Sequence, residues 1–393
     1  MGFKKYRLLY VALLLVFIAG CSGNKDIKIP EQIASIENLK VFELSKNSPR
    51  PISFDREISY EAGDEVLIGR INSIAADSRG NLYVADDEQK TIHLFDNNGT
   101  YIQSFGKKGK GPGEFLGLNN LSIKAPYLYI HDYRQNRLNL FDLETRNFTK
   151  AIKLRSENIN IDIPPRFRPS GYKIIPDSDT LLISFTQSVS MDNLNKERYT
   201  RYYKMDLEGK YIPKKILETK SAQFLADRTG NSFMVMPSPF GRRPFSEITS
   251  DGTLFTAWSE NFVINRYNQS GEQEGAWYYS NFQKAPLTQE EALNERENSK
   301  TYQRIVKNMD LPDTWPTFDK LLLDDKNRLW IATVVEDKTV YRWWIMDTNG
   351  EPLATFTWPR SRSIETIKHG KAYVKETEDS GLSKIVRYKF SGI

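Results

Sequence analysis

The chain has 393 residues, 39% hydrophobic and 27% charged, a balance that excludes wholesale disorder. Its single cysteine excludes an internal disulfide and any multi-cysteine zinc site. The net charge of +5 falls to about +2 when Lys4, Lys5 and Arg7 are set aside with the leader they belong to, so charge gives no case for nucleic acid as a partner.

Lys4, Lys5 and Arg7 form a basic start, and Leu8 to Ala19 is an unbroken apolar run. Such a run is too short to cross a bilayer comfortably and has the right length for a signal peptide. It ends in Ile18-Ala19-Gly20-Cys21, which resembles a bacterial lipobox. The resemblance implies that residues 1–20 are removed and that Cys21 is acylated, so the membrane is met through N-terminal acyl chains. Two or three such chains hold far more firmly than one. Residues 21–38 are polar and read as the lipidated cysteine with a tether. The expected address is the outer membrane, with the periplasmic and surface leaflets both open.

From residue 39 to 393 one strand pattern returns six times: Asn81–Asp86, Tyr127–Asp132, Thr180–Phe185, Thr253–Trp258, Arg328–Thr333 and Lys371–Glu376. A strand precedes each, as at Asn72–Ala76 and Phe318–Leu323, and a third follows, as at Thr91–Asp96 and Tyr341–Asp347. Aromatic residues, 12% of the chain, suit these strands. Tight turns such as Asn97-Asn98-Gly99 and Asn349-Gly350 then lead to a fourth strand, because hairpin turns favour residues that tolerate positive φ. Four antiparallel strands recurring every 40–50 residues or so describe a propeller blade. The sixth unit lacks its fourth strand after Phe390, and Val41–Ser45 and Ile52–Tyr60 are spare strand-like segments near the start. The expected fold is therefore all-β: a six-bladed β-propeller closed by an N-terminal strand. A helical insertion is expected around 286–308, where Thr288 and Glu291 have capping-box spacing.

The stretch Gly80–Asp86, with Thr91–Asp96 and Phe105–Phe115 after it, looks like an NHL repeat, and Asp132–Asp142 repeats its middle. Over residues 39–393 the chain resembles the six-bladed β-propeller (NHL-repeat/TolB-like) lipoprotein family of Gram-negative gut bacteria. The resemblance implies a propeller that in most relatives is a binding module and in some is a metal-dependent hydrolase or lyase.

Long connections fall at Gly106–Leu118, Arg155–Ser170, Gln187–Glu197, Thr219–Arg242 and Ser280–Thr317, all on one face in a propeller. Function is expected there. The insertion within 280–317 reads either as a lid over the central channel or as a solvated decoration. Basic residues recur on that face (Lys107, Lys108, Lys110, Arg134, Arg137, Arg166, Arg168, Arg242, Arg243, Arg360 and Arg362), either as solvated charge or as a funnel for an anion. The ligand-binding candidates are Asn72, Asn119, His131, Tyr133, Arg134, Trp258 and Trp315, the aromatic ones as stacking surfaces for sugar rings. With three histidines spread apart, a three-histidine metal centre is not expected, and no cofactor is assigned. The alternative is a calcium ion held by Asn72, Asn120, Asp132 and Asp319 at the channel mouth, residue types that calcium-dependent propeller lactonases use. Asp96, Asp142, Asp206 and Asp347 read as structural turn residues. The function expected is a non-catalytic cell-envelope module that binds a glycan, a peptide or an envelope protein, an acidic glycan being one form. The alternative is a calcium-dependent, lactonase-like propeller hydrolase.

Overall fold

The computed structural model describes residues 29–44, 50–61, 63, 66–155, 161–193, 196–229, 232–378 and 381–393. The leader, Cys21 and the first part of the tether lie outside the described residues. Helix α1 (Glu31–Ala34) and strands β1 (Leu39–Glu43) and β2 (Ser53–Tyr60) come first. The chain then builds sheets one to five in order, with inner strands Ile71–Ala76, Leu118–Lys124, Phe167–Ile174, Pro244–Ile248 and Phe318–Leu323. Sheet six contributes Arg362–Lys368, Lys371–Thr377 and Ser383–Ser391, and β2 pairs antiparallel with the last of these as its fourth strand. The ring is thus closed by the N-terminal segment, as expected, and the chain is an all-β, six-bladed propeller.

Six apolar clusters occupy the six junctions between neighbouring blades. One, for example, joins Leu138 and Ile152 of blade two to Ile183 and Phe185 of blade three. The cluster at the closure joins Tyr60 of β2 and Tyr373 of blade six to Leu82 and Phe95 of blade one. Strand alternation sends one side of each sheet forward and the other back, so every blade feeds two cores. Buried tyrosines add polar ties across junctions: Tyr172 donates to the Tyr129 carbonyl at 2.9 Å, and Tyr279 to the Gly350 carbonyl at 2.6 Å.

The turns between third and fourth strands repeat one device. The Asp96 carboxylate accepts from the amides of Asn98 and Thr100, Asp206 from Glu208 and Lys210, and Asp347 from Asn349 and Glu351. Asp142 accepts from Glu144 and Thr145. All four aspartates are turn caps, as their positions imply. Gly350 completes one such turn at φ 89, and a Cβ there would sit 2.6 Å from the Trp277 ring of the preceding blade.

The other spare segment does something the sequence did not disclose. Strand β1 adds to the outer edge of blade four, parallel to Gln273–Ser280, making that sheet five-stranded. Ile33 of α1 is buried against Val263 and Ala276 of the same blade, so the chain is already docked where it was expected to be a free tether. Arg50 then bridges to Ala354 on the outer strand of blade five before β2 closes blade six. The N-terminal segment is a belt across three blade edges.

The 280–317 connection forms α2 (Gln289–Asn294) and α3 (Lys300–Lys307). Thr288 and Glu291 make the full capping box, each side chain bonding the other's backbone amide. The helices bury Ala292, Tyr302 and Val306 with Trp315, Leu225, Phe240 and Val334. Leu225 belongs to a hairpin, Phe224–Thr229 with Ser232–Pro237, inserted between blades three and four. The insertion is a small second core on the long-loop face.

Candidate functional site

Two cavities bear on function. The first, about 480 Å³, is the central channel, lined by inner-strand residues such as Ile74, Ser122, Tyr172 and Glu247. Its wall includes Pro176, Asp177, Asp324 and Lys368, which belong to first-to-second-strand turns, so it lies toward the short-turn face. Two of its lysines are engaged: Lys173 pairs with Glu247 at 3.1 Å, and Lys124 donates to the Ser178 carbonyl at 2.5 Å.

The second cavity, about 740 Å³, lies on the long-loop face between blades three and four. Four connections wall it: residues 189 and 196–198 between strands two and three of blade three, 220–225 and 238–242 between the two blades, 258–260 in blade four, and 309–312 after α3. Gln32 of α1 also reaches it. Backbone bonds tie two of these walls down: the Ser221 amide donates to the Arg198 carbonyl at 2.7 Å, and the Gln223 amide to the Arg242 carbonyl at 2.8 Å. Gln223 returns the tie, its Oε1 accepting from the Arg242 amide at 2.8 Å.

Within this wall Arg198 is 7% and Arg242 9% exposed. Arg198 donates to the carbonyls of Gln187 and Ala222 and stacks over Phe224, 5.1 Å from its centroid. Arg242 donates to the Phe240 carbonyl at 3.2 Å and to the Thr314 carbonyl at 3.0 Å. Burial pushes both guanidinium groups down from their usual range, with Glu260 pulling Arg242 partly back. Trp258, half-buried, donates its indole N–H to Glu260 at 3.1 Å.

Of the residues singled out from the sequence, Trp258 and, among the basic ones, Arg242 line this cavity. The rest do not. Asn72 donates to the Leu118 carbonyl at 2.5 Å and Asn119 pairs in register with His131, both between blades one and two or within blade two. Tyr133 is exposed, and the Arg134 guanidinium lies 5.8 Å from its ring centroid, so these two form a pair of their own on the surface of blade two. His131 is 0% exposed and edge-on to Tyr172, and among the described residues neither ring nitrogen has a hydrogen-bond partner. Burial pushes its imidazole down to about 4, against an opposing pull from Asp132. Trp315 is 4% exposed and packs in the helical core with its indole N–H toward Glu291. It offers no stacking face, a correction whose cause is that the insertion folds over it.

Most of the basic residues expected to form a funnel have partners within the protein, although many of them are exposed. Arg137 donates to the Gly111 and Glu114 carbonyls and staples the loop before blade two. Lys107 pairs with Glu114, Arg166 with Asp192, Arg243 with Asp319 and Arg362 with Glu376. Arg168 donates to the Phe167 carbonyl, and Arg360 stacks on Tyr341 at 4.5 Å. Lys108 and Lys110 lie on the exposed loop near Arg137.

The calcium alternative does not fit the residues named for it. Asp132 is fully buried and accepts from the amides of Leu116, Gly117, Arg134 and Gln135 and from the Gln135 side chain. Asp319 is held by Arg243 and by the Tyr341 hydroxyl at 2.8 Å. Asn120 gives its side-chain amide to the Tyr172 carbonyl at 3.2 Å. Among the described residues no three His, Cys, Asp or Glu side chains converge as a metal site would require.

The residues missed from the sequence are Arg198, Ser221, Gln223, Phe224, Ser238 and Phe240. The length of the Thr219–Arg242 connection marked the region, but no motif within it marks any one of them.

The fold and its loop-built cavity define a six-bladed propeller with a pocket on its long-loop face. The chain belongs to the DUF5128 family, described as a 6-bladed beta-propeller, whose profile matches residues 24–226, just over half of the length. Its fold is similar to that of a protein of Bacteroides fragilis described as exported, at 12% identity and TM-score 0.50, covering 90% of this chain and 100% of that one. It is also similar to a DUF4221-family member from Bacteroides vulgatus, at 8% identity and TM-score 0.54, covering 88% and 100%. At such identities the likeness speaks for the fold alone. No curated protein matches the sequence.

Proposed function

We propose that this protein is an extracytoplasmic lipoprotein, anchored through Cys21, whose NHL-like propeller binds a glycan, peptide or protein partner on its long-loop face without turning it over. The observation that carries this reading is the cavity of about 740 Å³ walled by four connections from that one face. Its size is in the range of ligand pockets, about 300–1,000 Å³. Loops of this length cost ordering entropy and are usually kept where they bind. Export is supported by the leader and lipobox, and one Bacteroides protein of like fold is described as exported. A binding role is preferred to the calcium-dependent hydrolase because Asp132 and Asp319, the carboxylates named as calcium ligands, are engaged within the protein.

The test is a screen of oligosaccharide and peptide arrays. Each hit is titrated against wild type and against Asn98→Ala, a turn change on the opposite face, and the ligand is recovered by mass spectrometry. Binding kept by Asn98→Ala, with the ligand recovered intact, is the expected result. Cleavage of the ligand would contradict a binding module, and loss of binding in Asn98→Ala would contradict the face.

A further inference from the structure

The pocket between blades three and four has a specific chemical bias. Arg198 and Arg242 are the buried charges in its wall, and both are cations. Among the described residues neither has a carboxylate within ion-pairing distance. A guanidinium carries five N–H donors. Arg198 spends two on carbonyls, and Arg242 spends its bonds on Phe240 and Thr314. The acidic residues of the wall, Glu197, Glu260 and Asp310, are exposed at its rim. Glu197 is neutralised by Lys220, and Glu260 holds the Trp258 indole. Glu260 acts on Arg242 only from the exposed rim, without an ion pair. A buried cation without a close counter-charge is expensive, and an incoming anion relieves that cost.

An independent observation points the same way. Ser221 and Ser238 line the pocket at 5% and 8% exposure, and among the described residues neither hydroxyl oxygen has a hydrogen-bond partner. Buried hydroxyls are nearly always satisfied, so two unsatisfied ones in one wall, each a χ1 rotation away from other orientations, leave bonds for a ligand oxygen to make. Trp258 and Phe224 add half-buried and exposed aromatic surface beside them. Aromatic surface next to charge-assisted donors suits a sugar ring carrying an acid group better than an extended peptide, which would seek a sheet edge.

Building on the binding-module reading above, we propose that this pocket is an acidic-saccharide site. Arg198 and Arg242, with the Ser221 and Ser238 hydroxyls, take a ring-borne carboxylate or sulfate, and Trp258 and Phe224 take the apolar part of the ring. A carboxylate offers two coplanar oxygens and a sulfate ester three terminal ones, and either can present a pair of acceptors to a guanidinium fork, so one site serves either source.

The full chain, in detergent, is probed with an array of uronic-acid and sulfated oligosaccharides, each printed beside its methyl-esterified or desulfated counterpart. Hits are then titrated by calorimetry. The site predicts that acidic members bind and that neutralising the acid weakens binding at least about tenfold, the scale of one lost charge-assisted bond. Loss on esterification identifies the carboxylate as the source, and loss on desulfation the sulfate. Arg198→Gln should weaken binding by about tenfold to a hundredfold, and Ser238→Ala by several-fold. If Arg198→Gln melts well below wild type, the Ser221→Ala/Ser238→Ala double variant decides instead. Equal binding of the neutralised sugars, or unchanged affinity in the variants, overturns the site. So does binding confined to acidic peptides. A neutral glycan or peptide that binds the long-loop face and ignores Arg198→Gln overturns the acidic site while leaving the binding-module reading intact. No ligand on any array overturns both.

Discussion

His131 shows how far a side chain's place along a strand differs from its place in depth. It ends the second strand of blade two, where sequence position puts it toward the long-loop face, yet it is sealed against Tyr172 with no hydrogen-bond partner among the described residues. Its titration is therefore a property of the fold. Burial holds the imidazole at about 4, whereas in the unfolded chain it protonates near the ordinary value of about 6.5. Between those values the unfolded chain binds more protons than the native one. Stability from this group is full above about pH 6.5 and is lost as pH falls toward 4, by about 3 kcal/mol in all. Urea unfolding at pH 7 and pH 4.5 checks this: wild type should lose clearly more stability than His131→Phe across that interval. Equal losses would mean that His131 is not the group. Trp315 teaches the same lesson, since its neighbours in the sequence do not reveal that Tyr302 and Val306 fold over it. Asp96 and Asp347, by contrast, were legible from sequence because a turn cap acts within four residues of its own position.

At the scale of elements, the strands and hairpins were readable because alternation and Asn-Gly or Asp-led turns are local signals. The six inner strands fall where the repeat placed them, and the capping box at Thr288 and Glu291 starts α2 as its spacing implies. The belt was only half legible. That β2 must close blade six follows from a missing strand, but that β1 lies parallel on blade four depends on an edge its own residues do not announce. The belt gives a graded prediction. Deleting residues 22–28 leaves every described contact intact and should leave the melting temperature unchanged. Deletion through residue 44 removes Ile33 and β1 and uncovers the edge of blade four, and should lower it. Deletion through residue 62 also strips β2 from Ser383–Ser391 and opens the ring, and should lower it most or make the protein aggregate. Thermal melts of the three truncations decide, and equal midpoints would refute closure by the belt.

Taken whole, the molecule joins a belt to a ring whose two faces differ. One face carries short capped turns, and the other carries the inserted hairpin, the helical core and the pocket between blades three and four. Cys21→Ser should leave the ring folded and release the protein from membranes, as read by flotation. A variant that still floats with wild type would refute the lipid anchor. The pocket itself was not legible from sequence, because Arg198, Ser221 and Ser238 come from irregular connections that meet only in space. The central claim, binding on the long-loop face, is tested most directly by hydrogen–deuterium exchange of the full chain with and without a saturating ligand from the arrays. The account predicts slowed exchange in residues 189–193, 196–198, 220–229, 232–242, 258–260 and 309–312, with the turns at 97–99, 208–209 and 349–350 unchanged. Slowed exchange confined to those turns or to the channel-lining strands would contradict it.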